Sequence, residues 1–205
     1  MESIGISTST PTDFAADRRA RSRRGTAGFT LVEMAVSTLV LLILAAIAVP
    51  SIVHALRIYR LSGAAQNVGL LLQRTRYEAI RANTTLNFRT QVVANTAYAW
   101  IDLNKNGVMD ATEPTIQISS DIQILAAGAV PNPATMGFAN LQTAGNTISV
   151  GPGGAANLAG GPLVVNAIYL GFPLQPTYGF RAVTFTPMGQ IKVWSAAQGG
   201  NWHSP

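Results

Sequence analysis

The 205-residue chain has no cysteine, which excludes a disulfide framework, a thiolate metal site and a cysteine nucleophile. Histidine is almost as scarce. His54 and His203 stand alone and leave little material for a histidine metal centre or a catalytic triad. Charged residues make up only 11% of the chain, and the net charge of +5 is unevenly placed. Arg18, Arg19, Arg21, Arg23 and Arg24 oppose Glu2, Asp13 and Asp17, so +2 sits in residues 1–28 and +3 is spread thinly over the rest. Bulk charge therefore gives no nucleic-acid-binding protein. The sequence also lacks G-x-S-x-G, H-E-x-x-H and a phosphate-loop lysine. Gly151-Pro152-Gly153-Gly154-Ala155-Ala156 reads as a floppy low-complexity loop rather than a phosphate cradle. Tyr98, Trp100, Phe185 and Trp194 fall in strand patterns, where they read as core. These absences together predict a protein that is not an enzyme.

What is abundant is apolar sequence, 48% of the chain, and its placement is informative. Between Met34 and Val49 there is no charge, and the wider stretch Phe29 to Pro50 carries only Glu33. As helix, such a stretch reaches ~33 Å, enough to cross a bilayer core. The arginines precede it, so the positive-inside rule puts residues 1–28 in the cytoplasm and the remainder outside. The run is long for a signal-peptide core, and no A-x-A-like site closes it. Glu33 is the anomaly, because a charge at membrane depth costs about 2.5–3.5 kcal/mol on insertion scales and is by default functional.

Beyond Pro50 the helical pattern continues. Leu61, Ala64, Val68, Leu72, Thr75 and Ala79 recur at spacings of three and four and form one apolar face. Arg74 and Arg81 fall opposite, with Arg76 and Glu78 on the flanks. The expectation is one long helix from about Phe29 to about Ala82, kinked at Pro50 and ended by Asn83-Thr84-Thr85. Arg57 and Arg60 read as a solvated face. From Leu86 the period becomes two, and strands are expected at 86–92, 97–101, 116–118, 122–125, 163–170 and 182–186. The last begins a hairpin through Thr186-Pro187-Met188-Gly189, where proline second and glycine fourth fit a type I turn. The glycines and prolines, 30 in all, fall mostly after residue 100, as turns require. The predicted fold is α+β: a long N-terminal membrane-spanning helix packed on a C-terminal antiparallel β domain. Its segments are a basic leader at 1–28, the helix at 29–83 with residues 29–50 in the membrane, and the β domain at 84–205.

Residues 102–113 match the calcium-loop pattern D-x-[DN]-x-[DN]-G-x5-E at every specified position. Asp102, Asn104, Asn106, Asp110 and Glu113 offer side-chain oxygens, Val108 its carbonyl at position seven, and Gly107 the sharp turn. The flanks read as strands, so this is no EF-hand. A turn in which Asp and Asn side chains cap backbone amides is the competing reading. A calcium ion here would bind in the weak extracellular range, near ~10⁻⁴–10⁻³ M.

The junction Arg23-Arg24-Gly25-Thr26-Ala27-Gly28-Phe29, followed by Thr30-Leu31-Val32-Glu33 and the apolar run, closely resembles the class III signal of type IV pilins and type II secretion pseudopilins. The resemblance implies a pilin-like fold, cleavage after Gly28 by a prepilin peptidase, and methylation of the new N-terminus at Phe29. It also implies a partner for Glu33. Cleavage exposes an α-amine of reference pKa about 7.7–8.0, which apolar surroundings push toward neutrality. The carboxylate of a neighbouring subunit would keep that amine charged, so each subunit carries half of a pair that a filament completes. A 28-residue leader is long for this class, and a start downstream of Met1 would shorten it. The segment from Asp102 to Pro114 and the hairpin Phe185-x-Pro187-x-Gly189 resemble the GspH/FimT group. That resemblance implies a GspH-type minor pseudopilin of the type II secretion pseudopilus. Its partners would be other minor and major pseudopilins or pilins, with an inner-membrane anchor and a periplasmic domain. The alternative is a FimT-like minor pilin of a type IV pilus that binds DNA in natural transformation through a basic G-R-x-R motif. The matching positions here are Gly189-Gln190-Ile191-Lys192. Lys192 and Arg181 make a poor phosphate footprint, since each contact needs a cation.

Overall fold

The computed structural model describes residues 28–156 and 164–204. Leader residues 1–27, the C-terminal residue and part of the strand expected at 163–170 lie outside them. The chain divides into two units, residues 1–47 and 48–205. In the first, the described residues are the start of helix α1, which runs Leu31–Arg81. The helix is continuous through Pro50, which lies inside it. One long helix is what the sequence leads us to expect. Its C-terminus is closed by Asn83 in the left-handed region at φ 48°. The Asn83 and Thr84 N–H groups donate to the Ile80 and Ala79 carbonyls at 3.2 and 3.1 Å. This is a Schellman closure with asparagine in the usual glycine place.

In the second unit, α1 buries Leu61, Ala65, Val68, Gly69, Leu71, Leu72, Thr75 and Ala79. That is the stripe expected from the spacing, widened by Ala65, Gly69 and Leu71; Ala64 sits at its half-buried margin. Among the described residues nine strands follow: β1 (Leu86–Val93), β2 (Thr96–Asp102), β3 (Thr115–Gln117), β4 (Gln123–Leu125), β5 (Leu141–Thr143), β6 (Thr147–Val150), β7 (Val165–Gly171), β8 (Phe180–Phe185) and β9 (Ile191–Ala196). One sheet has the order β3-β2-β1-β6 and is antiparallel throughout. The other has the order β4-β7-β8-β9, with β5 also on β7. The β5–β7 pairing is parallel, within a domain that is otherwise antiparallel as expected. Strands β5 and β6 were not expected at all.

The core follows from the period of two. Phe88, Ile101, Ile148, Ile168, Leu170, Val183 and Phe185 join the helix stripe in one buried cluster. The alternate residues of the second sheet, Ala167, Tyr169, Phe180 and Ala182, face a smaller cluster with Met136 and Trp202. Strand β7 is thus buried on both faces along its length. Trp202 ties down the chain end: its Nε1 donates to the Pro131 carbonyl at 3.0 Å. His203 pairs with Ser195 beside β9.

Local readings are corrected in two places. The glycine-rich segment is an ordered turn, with Gly154 N–H donating to the Gly151 carbonyl at 2.8 Å and a bridge between Val150 and Ala156. Gly154 admits the Arg76 side chain where a Cβ would come within 2.8 Å of its Nε. Arg57 is not merely solvated, because its guanidinium lies 4.8 Å from the Tyr178 ring centre and donates to the Tyr178 hydroxyl at 3.1 Å.

The β1–β2 hairpin turns on Ala94 and Asn95, both at positive φ, 48° and 64°. A two-residue turn of this kind matches the strand twist but favours asparagine or glycine at its first position. Alanine there carries a left-handed cost of about 1–2 kcal/mol. Ala94→Asn is therefore expected to stabilise residues 48–205 by about 1 kcal/mol, read as a higher urea midpoint at unchanged slope.

Candidate functional site

Helix α1 begins one residue after Thr30, whose Oγ1 accepts the Glu33 N–H at 3.2 Å. Thr30-x-x-Glu33 has the spacing of a capping box, and an acidic residue in the first turn suits the positive end of the helix dipole. Phe29 is 72% exposed, and the large apolar side chains from Leu31 to Val49 are exposed as well. This apolar stretch is long enough to cross a membrane, and none of it is buried within the protein. Length and composition suit a membrane crossing. Among the described residues the ion pairs are Arg81–Glu78 and Arg89–Asp102. Glu33, alone in an uncharged stretch, is in neither.

The profile of the prokaryotic N-terminal methylation motif matches residues 23–49. Residues 23–49 therefore carry a pilin-type N-terminal signal. No curated protein sequence matches it. Two crystal forms, P65 and P21, of the type IV minor pilin FimU from Pseudomonas aeruginosa (strain PAO1) are similar at 14% identity and a TM-score of 0.47. They cover 68% of this chain, and 99% and 94% of the respective FimU chains. The chain has the expected architecture, a long N-terminal helix whose apolar stripe packs on mainly antiparallel sheets.

The structure separates the two cations considered for DNA. Lys192 is exposed on β9. Arg181 is half-buried; its Nε donates to Ser62 Oγ at 3.2 Å and its Nη1 to the Phe180 carbonyl at 2.9 Å. Desolvation lowers its pKa. Arg181 therefore holds β8 to the helix through two of its donors.

Residues 103–114 connect β2 to β3, so the flanks are strands. Asp102 is fully buried and Glu113 nearly so, while Asn104 and Asn106 are exposed. Asn104 Oδ1 accepts the Asn106 N–H at 3.0 Å, and Asn106 Oδ1 accepts the Val108 N–H at 2.8 Å. Glu113 Oε1 accepts the Leu103 N–H at 2.8 Å. The residue missed by spacing alone is Arg89, whose Nε donates to Asp102 Oδ2 at 2.7 Å. The hairpin register explains it. Asn87 faces Asp102 and Arg89 faces Trp100, which puts Arg89 diagonally beside Asp102 on one sheet face.

Proposed function

We propose that this chain is a structural subunit of a pilin-like filament, specifically a GspH-type minor pseudopilin of a type II secretion pseudopilus. Prepilin peptidase removes the leader after Gly28 and methylates Phe29. Residues 29–50 then anchor the chain in the inner membrane, with the β domain in the periplasm. The observation that carries this reading is Glu33, an acidic side chain with no ion partner among the described residues, set in the first turn of an exposed apolar helix. A second subunit's α-amine supplies the missing charge. Of the two cations considered for DNA only Lys192 is exposed, Arg181 being held by Ser62 and Phe180, which is a small phosphate footprint. The FimT-like alternative, a DNA-binding pilin of a type IV pilus, is therefore not favoured.

Deletion of the gene in its host separates the two. Loss of secretion of folded substrates, with DNA uptake unchanged, is the expected result. Normal secretion with loss of transformation, together with salt-sensitive DNA binding by residues 48–205 in a gel shift, would replace the pseudopilin with the DNA-binding pilin.

A further inference from the structure

Three carboxylates, Asp102, Asp110 and Glu113, bound or lie within the β2–β3 connection. Arg89 is paired to Asp102, whereas Lys105 is turned aside, its Nζ donating to Thr84 Oγ1 at 2.9 Å. One guanidinium against three carboxylates leaves two negative charges. Asp102 is fully buried, and its two oxygens are treated differently. Oδ2 accepts from Arg89 Nε at 2.7 Å and from the Gly107 N–H at 3.1 Å. Oδ1 is buried with no hydrogen-bond partner. Leaving a buried acceptor unsatisfied is costly, and more so for a charged group. The loop's own Gly107 N–H donates to Oδ2, and Oδ1 is left as the unused oxygen of a buried carboxylate at the loop's first position. Gly107, at φ +77°, permits this turn, and the Arg89 guanidinium lies where an added Cβ would be 3.3 Å away.

We propose that residues 102–113 form a calcium site anchored on Asp102 Oδ1. Asn104, Asn106, Asp110 and Glu113 supply further side-chain oxygens, and Val108 its carbonyl. Hard, divalent calcium takes six to eight oxygens, and its charge equals the two left uncompensated. Among the described residues no three acidic or histidine side chains converge on one point. Asp110 Oδ2 instead accepts from Asn104 Nδ2 at 2.6 Å and Asn106 Nδ2 at 2.8 Å, and Glu113 from the Leu103 and Asp110 amides. The ion exchanges these neutral donors for itself, and the loop closes as it fills. That exchange keeps the affinity in the weak range, about 10⁻⁴–10⁻³ M. The inference does not depend on which filament the chain joins.

The test uses the full chain in detergent micelles. Titration calorimetry with calcium chloride is expected to show one site per chain, with magnesium much weaker. Calcium at ten times its Kd should shift the folding equilibrium about elevenfold toward the native state, seen as a higher melting temperature than in EDTA. Asp102→Asn should abolish both signals, and so should Asp110→Asn, which alters a more exposed position and spares the core. Absence of calorimetric heat and an unchanged melting curve in ten millimolar calcium would overturn the site. So would a calcium response that Asp110→Asn and Asp102→Asn both retain.

Discussion

Glu33→Ala is expected to leave the chain in the membrane at normal or raised level while largely removing it from the filament. Insertion is relieved of about 2.5–3.5 kcal/mol for a charge at depth. The loss at the helix start is small, about 0.3–1 kcal/mol for one first-turn carboxylate. If Glu33 meets a neighbour's α-amine, its removal strands that amine in apolar surroundings. Breaking such a buried pair costs about 3–5 kcal/mol, a hundredfold or more in association. Membrane fractionation with crosslinking to the other subunits reads both effects at once. Normal crosslinking of the alanine variant would reduce Glu33 to a helix cap.

Arg89→Ala should produce the largest loss of stability in the β domain, about 3–5 kcal/mol. Asp102 is fully buried, whereas the Arg89 side chain is 27% exposed, so the carboxylate bears most of the cost of separation. Its Oδ1 has no partner already, and without Arg89 its Oδ2 keeps only the Gly107 N–H. The variant also loses the Arg89 Nη1 bond to Thr147 Oγ1, at 3.2 Å, which ties β1 to β6. Urea unfolding of residues 48–205 without divalent ions measures the change. A midpoint shift corresponding to less than about 1 kcal/mol would place this pair with surface ion pairs.

Several elements were legible in the sequence because their signals are local. Leu61, Val68, Leu72, Thr75 and Ala79 announce the buried stripe of α1 by spacing alone, since a helix returns to the same face every three or four residues. The turn after β8 was equally plain: Gly189 N–H donates to the Thr186 carbonyl at 2.9 Å, the closure that Pro187 and Gly189 suggest. Strands β5 and β6 were not legible. They are three and four residues long, and each is defined by pairing with β7 or β1 across a wide sequence gap. The glycine-rich turn packs against Arg76 from the helix, a contact that composition alone does not reveal. In the candidate sites, Gly28, Phe29 and Glu33 form one contiguous motif. The oxygens of 102–113 are also readable in order. Arg89 is not, because its relation to Asp102 depends on the hairpin register.

The central claim is that this chain is matured as a pilin-type subunit. Intact-mass measurement after co-expression with a prepilin peptidase tests it most directly. The expected product is a chain beginning at Phe29 and one methyl group heavier, with full-length protein when Gly28 is changed to alanine. A product that retains Met1, or one cut near Pro50, would contradict it.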